Sequence, residues 1–159
     1  MNNVQQYLLD QQVSYILHEH PPVYTCEEAQ KYCSGIPGLS CKNLFLRNKK
    51  AQRYFLLVLA SHKRADLKKI SDIIGATRLS FANSQELQEI LHLTPGAVSP
   101  FGLINDTDHS VECIIDREVY ESDIVSFHPN INTATLELSK DMFHKFLETI
   151  ESNVSVIDF

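Results

Sequence analysis

The sequence predicts a mixed α/β fold: one compact domain over residues 1–159, built on a mixed sheet of six to seven strands with flanking helices. Three observations carry that reading. Apolar runs of strand length alternate with segments whose apolar residues recur at helical spacing. Turn signals separate them without a linker, repeat or low-complexity stretch. The run Phe55-Leu56-Leu57-Val58-Leu59 is apolar at every position, as a central strand covered on both faces requires.

The elements follow in order. Val4, Leu8 and Leu9 share one face of a short N-terminal helix, and Tyr15 to Leu17 read as a strand. Pro21-Pro22 forces a turn, after which Thr25 and Glu28 have capping-box spacing and open a helix that Gly35, Pro37 and Gly38 end. Asn43 to Arg47 and Arg53 to Ser61 form a β-hairpin about the tip Asn48-Lys49-Lys50-Ala51-Gln52. Asp66 to Ile74 is a helix with Leu67, Ile70, Ile73 and Ile74 inward and Gly75 as its stop. Arg78 to Ala82 is a short strand, and Ser84 caps a helix bearing Leu87, Ile90 and Leu91, followed by a loop from Thr94 to Gly102. Val111 to Ile115, Ile124 to Phe127 and Thr133 to Leu138 are further strands. Ser139 caps a last helix that buries Met142, Phe143, Phe146, Leu147 and Ile150.

A chain of 159 residues buries enough surface to fold without a metal or disulfides, and none of either is expected. No apolar run approaches the roughly 18 residues that span a bilayer. The start, Met1-Asn2-Asn3-Val4-Gln5-Gln6, has no basic and apolar leader pattern, which points to the cytoplasm and away from membranes. Cys26, Cys33, Cys41 and Cys113 lack zinc-site spacing and read as free thiols. Cys41 beside Lys42 has the makings of a nucleophile, but a small half-buried packing residue is the simpler account.

A net charge of −6 speaks against a nucleic-acid partner, yet its distribution does not. From Lys42 to Lys69 lie nine of the fourteen basic residues against the single acid Asp66, so this window carries +8 and the remainder −14. Such polarity attracts a phosphate backbone to one region while the acidic remainder limits indiscriminate binding. Lys49, Lys50, Arg53, Lys63, Arg64, Lys68 and Lys69 are the candidate contacts; a solvated hairpin tip and helix face is the plain alternative.

Three segments combine rigid backbone with polar side chains where packing calls for neither: Lys42-Asn43-Leu44-Phe45-Leu46, Gly96-Ala97-Val98-Ser99-Pro100-Phe101-Gly102, and Phe127-His128-Pro129-Asn130 continuing into Asn132-Thr133-Ala134-Thr135. No G-x-S-x-G elbow, H-E-x-x-H, P-loop or dinucleotide fingerprint accompanies them. What they offer is a lysine, a histidine, amides, hydroxyls and a glycine loop whose N–H groups can approach a ligand. These are parts for binding a polar ester and stabilising an oxyanion. Taken singly, Lys42 could be a strand-edge charge, Gly96 and Pro100 turn formers, and His128 a satisfied half-buried histidine. Together they favour a site.

These segments, in this order, closely resemble the free-standing ProX-type prolyl-tRNA editing deacylases, of the superfamily of YbaK and the editing insertion of bacterial prolyl-tRNA synthetase. The resemblance runs from Pro21-Pro22-Val23-Tyr24-Thr25 to the last helix. It implies a compact α/β domain around a small pocket, without a cofactor, that hydrolyses the ester joining a wrong amino acid, chiefly alanine, to proline tRNA. Lys42 matches the family's functional lysine, which places the aminoacylated end. Gly96 to Pro100 matches the G-x-x-x-P loop that holds the carbonyl and the attacking water.

The resemblance places Asn43 and His128 among the lining groups, and has Phe101 and Gly102 shape the wall; Val23, Tyr24, Leu44 and Val98 are plausible wall residues. It also implies that the terminal adenosine's 2′-hydroxyl assists attack, so that no side-chain base is needed. Mischarged proline tRNA is the implied partner, with prolyl-tRNA synthetase or an elongation factor as transient ones. Two departures stand out: His92 where a glycine is common, and Ala97 where a serine is frequent. A superfamily deacylase preferring cysteine or serine, and a non-catalytic module binding tRNA or an amino acid, are the alternatives.

Overall fold

The computed structural model describes residues 2–50 and 53–159, and the backbone alone of Cys26. Helix α1 (Asn3–Asp10) starts on Asn2, whose side chain and that of Gln5 cap each other's backbone N–H reciprocally. It buries Val4 and Leu8, while Leu9, one residue further round the helix, is 59% exposed and lies off the expected apolar face. Strand β1 (Ile16–Glu19) follows, then α2 (Cys26–Cys33) capped by Thr25. The Glu28 carboxylate reaches Tyr24 N–H and Thr25 Oγ1, a variant of the expected capping box.

Strands β2 (Cys41–Arg47) and β3 (Tyr54–Ala60) pair antiparallel as the predicted hairpin; Ala51 and Gln52 of its tip lie outside the described residues. Helix α3 (Leu67–Ile74) is capped by Asp66 and ends on Gly75 in the left-handed region. The two-residue strand β4 (Ser80–Phe81) precedes α4 (Ser84–Leu91), whose cap is Asn83, so Ser84 is its first helical residue. After two 3-10 turns, Pro95–Ala97 and Pro100–Asn105, come β5 (Val111–Asp116), the single turn α5 (Arg117–Tyr120), β6 (Ile124–Phe127), β7 (Ala134–Ser139), α6 (Lys140–Thr149) and β8 (Val154–Ile157).

The α/β class is as expected, but the strands divide between two sheets. One has the order β4-β2-β3-β5-β8, with β3-β5 and β5-β8 parallel; the other is antiparallel in the order β1-β7-β6. Leu39 bridges them, its N–H donating to Ile124 O at 3.0 Å. The approach is so close that a β-carbon on Gly38, at φ +112°, would fall 2.9 Å from Ile124 O.

Alternation along β2 and β3 sends side chains into two cores. Phe45, Leu56, Val58 and Ala60 join Phe101, Phe127, Leu136, Phe143 and Phe146 on one face. Leu46, Phe55, Leu57 and Leu59 pack with Ile70 of α3, Ala76 and Leu79 on the other, where Leu44 also sits. β3 is thus the doubly covered central strand its composition predicts. Phe101, Phe143 and Phe146 have no exposed surface, and burying each contributes about 2–3 kcal/mol. On α3, Ile73 is exposed and only Ile70 fully buried.

The fully buried Asp116 closes the end of β5. It accepts from Lys63 Nζ (2.9 Å), Ala60 N–H (3.1 Å) and Glu118 N–H (3.2 Å), which offsets the cost of burying its charge. Among the described residues no helix is long and apolar enough to cross a membrane.

Candidate active site

The glycine loop and the 127–135 segment come together, and both meet the stretch from His20 to Tyr24. His20 N–H donates to Thr133 O (3.0 Å) and Val23 N–H to Asn132 O (3.2 Å), which lays 20–23 alongside 132–133. Asn132 Nδ2 donates to Val23 O and Asn130 Nδ2 to Phe101 O, each at 3.4 Å.

Within the loop, Ala97, Ser99, Pro100, Phe101 and Gly102 are buried and Val98 is half-buried against the same core. Ser99 Oγ accepts from Phe101 N–H at 3.0 Å, and Phe101 meets Phe127 and Phe146 edge-on, with ring centroids 6.1 and 5.0 Å away. These residues are the footing of the loop; Gly96 is exposed at its crest. A β-carbon on Gly96 would lie 3.8 Å from Asn132 Nδ2, 3.8 Å from Tyr24 Cδ1 and 3.9 Å from Val23 O, so neither a positive φ nor a clash demands glycine there. Its N–H sits in the first turn of the 3-10 segment Pro95–Ala97, where donors have no partner within the helix. The crest therefore offers an exposed donor beside Val23, Tyr24 and Asn132, with room for a β-carbon at ordinary contact distance.

His128, in the same 127–135 segment as Asn132, turns toward Ala134, Thr135 and His20. Its Nδ1 is 2.9 Å from Ala134 O and 3.4 Å from Thr135 Oγ1. The Thr135 hydroxyl is 2.9 Å from His20 Nε2, whose ring stands 5.8 Å from that of His128. Burial lowers the His128 pKa, the Ala134 hydrogen bond opposes the shift, and the charge of His20 adds to it. Asn43 Oδ1 and Asn130 Oδ1 are buried acceptors without a hydrogen-bond partner among the described residues.

The Lys42 segment is split by the pleat of β2. Asn43, paired with Val58, faces the core that holds Phe101 and Phe127; Lys42, paired with Leu59, and Leu44 face α3. Leu44 thus packs in the other core and does not line the wall with Val23 and Val98. Lys42 is half-buried, and its ammonium has no hydrogen bond or ion pair among the described residues. Tyr24, expected in the wall, is 73% exposed at the rim. The Cys41 thiol donates to Leu39 O (3.4 Å) and is pushed up to about 12 by burial and by the charges of Asp116 and Glu118, so it has no thiolate character. Cys33, Cys41 and Cys113 are free; the Cys26 side chain lies outside the description.

The basic window is less uniform than its charge count. Arg53 is held bidentately by Glu112, with both contacts at 2.9 Å, and Lys63 by Asp116 and Glu118, so these two are spent on structure. Lys49, Lys50, Arg64, Lys68 and Lys69 form no ion pair among the described residues. Lys49 and Lys68 line a cleft of about 780 Å³ with Arg78, Ser71 and Thr77; a hollow of about 420 Å³ lies by Leu17, Glu19, Ile131 and Thr133. Neither includes Lys42, Gly96 or His128; the larger, lined also by Asp72, Leu67, Ala76 and Leu79, is a surface trough in which three basic side chains outnumber one acid.

Reading by sequence missed His20 and Arg78. His20 directly precedes Pro21-Pro22, a signal that the backbone there is fixed, and Arg78 falls outside the charged window, at φ +45° in the left-handed region. Among the described residues no group of three or more His, Cys, Asp or Glu side chains is placed to hold a metal.

The model of the aminoacyl-tRNA editing domain matches residues 20–146. The prolyl-tRNA editing protein ProX of Acetoanaerobium sticklandii is 40% identical over 146 residues, covering 92% of this chain and 89% of the relative. The prolyl-tRNA synthetase associated domain-containing protein 1 of Danio rerio is 34% identical over 143 residues, covering 89% and 77%. The crystal structure of a candidate trans-editing enzyme for prolyl tRNA synthetase superposes with a TM-score of 0.73 at 18% identity, covering 99% of this chain and 97% of that one, a likeness of fold.

Proposed function

The chain belongs to the aminoacyl-tRNA editing domain family, and we propose that it works in trans as a deacylase, hydrolysing the ester that links alanine to proline tRNA. The observation that carries this reading is the crest at Gly96: a glycine that the fold does not demand, bearing an N–H donor, beside Val23, Tyr24 and Asn132.

The substrate's carbonyl sits against that crest, where the loop's N–H groups stabilise the oxyanion that develops when water attacks. The terminal adenosine's 2′-hydroxyl guides the water, so the protein supplies position and electrostatics. That division of labour fits a site whose one cysteine beside the lysine, Cys41, is inert. Lys42, with no partner of its own, takes the phosphate backbone of the acceptor end. Lys49 and Lys68, with Arg78 in the same trough, attract the stem, and Lys50, Arg64 and Lys69 add to the basic field outside it. Prolyl-tRNA synthetase or an elongation factor hands the tRNA over in the cytoplasm.

Alanine is the natural error to correct. A proline pocket rejects the smaller side chain by only about 1–3 kcal/mol, and a second pocket too small for proline supplies the missing discrimination. The test is hydrolysis of alanyl- against prolyl-charged proline tRNA, repeated with a terminal 2′-deoxyadenosine and with Lys42→Ala. Selective loss of alanine that needs both the 2′-hydroxyl and Lys42 supports the reading. A preference for cysteinyl or seryl esters would reassign the substrate, and no turnover of any mischarged tRNA would leave a binding module.

A further inference from the structure

We propose that His20 and Thr135 are positioning residues that hold His128 in a single neutral tautomer, proton on Nδ1, so that His128 serves the site as a hydrogen-bond acceptor through Nε2. The functional half of this inference rests on the deacylase reading; the tautomer itself follows from the hydrogen bonds.

The chain of reasoning starts at a group that can only accept. His20 Nδ1 lies 2.9 Å from Pro21 O, so Nδ1 carries the proton and, in the neutral ring, Nε2 carries the lone pair. The partner of that lone pair, at 2.9 Å, is Thr135 Oγ1, which must therefore donate its only proton to His20. An imidazole lone pair is a stronger acceptor than the Cys33 sulfur, the other group within reach of that hydroxyl, so the threonine oxygen has only lone pairs left for His128 Nδ1 at 3.4 Å. The nearer neighbour of His128 Nδ1, Ala134 O at 2.9 Å, is likewise an acceptor. Both groups facing Nδ1 thus demand a proton there.

Thr135 is 5% exposed, so water does not compete for its hydroxyl. If His20 did not capture that proton, the hydroxyl could rotate and donate to His128 Nδ1, which would admit the opposite tautomer. His20 therefore acts on the His128 tautomer through Thr135, in addition to the direct contact of the two rings. His128 Nε2 has no partner among the described residues and is left to accept from a donor on the substrate's reacting end, an α-ammonium or a ribose hydroxyl. A neutral ring of this tautomer cannot donate from Nε2, so oxyanion stabilisation falls to the Gly96 loop.

The experiment is long-range 1H–15N correlation of the imidazoles in full-length, uniformly labelled protein at neutral pH, paired with single-turnover deacylation. The wild type should show His128 protonated on Nδ1 and bare on Nε2. His20→Phe, which frees the Thr135 hydroxyl to donate to His128 Nδ1, should introduce the Nε2-protonated form and lower the deacylation rate about ten- to a hundredfold with the affinity for uncharged tRNA unchanged. Adding Thr135→Val to His20→Phe removes that competing donor, leaves Ala134 O as the partner of Nδ1, and should restore both the Nδ1-protonated form and the rate. An Nε2-protonated His128 in the wild type, or a His20→Phe protein with unaltered tautomer and rate, overturns the proposal. A protein with the expected tautomer that deacylates nothing would retain the hydrogen-bond assignment and sink the functional half together with the deacylase reading.

Discussion

Gly102 lies so close under Leu93 that a β-carbon on it would fall 2.6 Å from Leu93 Cδ1 and 3.5 Å from Leu91 Cβ, whereas one on Gly96, six residues earlier in the same loop, would meet nothing nearer than 3.8 Å. The two glycines are thus kept for opposite reasons. Gly102→Ala overpacks a buried contact and should lower stability by about 1–3 kcal/mol in urea unfolding. Gly96→Ala should leave the unfolding midpoint in place, yet reduce kcat/KM for alanyl-tRNA about ten- to a hundredfold by displacing the ester from the crest. Equal effects of both variants on stability would remove the reason for placing the substrate at Gly96.

A second prediction concerns His92, the residue that stands where a glycine is common. It is the C-cap of α4 at φ 57°, ψ 38°, and its N–H closes the helix onto Gln88 O and Leu87 O. A side chain there strains the backbone that a glycine would accept freely. His92 is exposed, so its replacement sacrifices no packing. His92→Gly should stabilise the protein by about 0.5–1 kcal/mol, the unfavourable entropy of a new glycine offsetting part of the relief. Chemical denaturation with an unchanged m-value measures it.

Local signals were legible where one element determined them. Thr25 and Ser139 cap the helices assigned to them, Gly75 ends α3 as expected, and Phe55 to Leu59 is the doubly covered strand. What escaped depends on partners distant in sequence. β8 carries Val154, Ser155, Val156 and Ile157 at the parallel edge beside β5, a pattern too short to be distinguished from a tail until β5 is in place. The way the two sheets are joined turns on Leu39 meeting Val125, which no periodicity encodes.

The site shows the same boundary. The glycine loop proposed for it stands out by composition alone. The pleat that parts Lys42 and Leu44 from Asn43, and the carboxylates that hold Arg53 and Lys63, required a register and a fold. His20 was hidden because a histidine acquires its role from neighbours, here Thr135 and Pro21 O.

The third prediction is a pH dependence. Burial sets the His128 pKa below its ordinary 6.5, the Ala134 hydrogen bond opposing and the charge of His20 reinforcing the shift. On acidification the unfolded chain therefore takes up a proton at this residue before the native state does. The stability this neutral ring contributes is complete above pH 6.5 and is lost as pH falls through the lower native value. The titratable groups grouped with it are His20 and, through Thr135, Cys33. His128→Asn should flatten the fall in unfolding free energy between pH 7 and pH 5 by up to about 1.4 kcal/mol per pH unit. Parallel stability curves for the variant and the wild type would contradict it.

The last prediction separates basic residues that are free from those already engaged. Lys49, Lys68 and Arg78 share the trough beside α3 and have no ion pair among the described residues, whereas Arg53 is neutralised by Glu112. A phosphate backbone laid along the trough would release one counterion for each contact. Each of Lys49→Ala, Lys68→Ala and Arg78→Ala should then weaken tRNA binding and reduce the slope of log affinity against log salt by about one. Arg53→Ala should leave that slope unaltered and lower stability by about 0–1 kcal/mol through loss of a half-exposed pair. Filter binding of proline tRNA across a salt series reads all four. A slope that responds to Arg53 but not to Lys49, Lys68 or Arg78 would move the tRNA path off the trough and towards the Arg53 edge of the hairpin. In that event Arg53 would have to exchange Glu112 for phosphate, making the acidic partner a competitor that nucleic acid displaces.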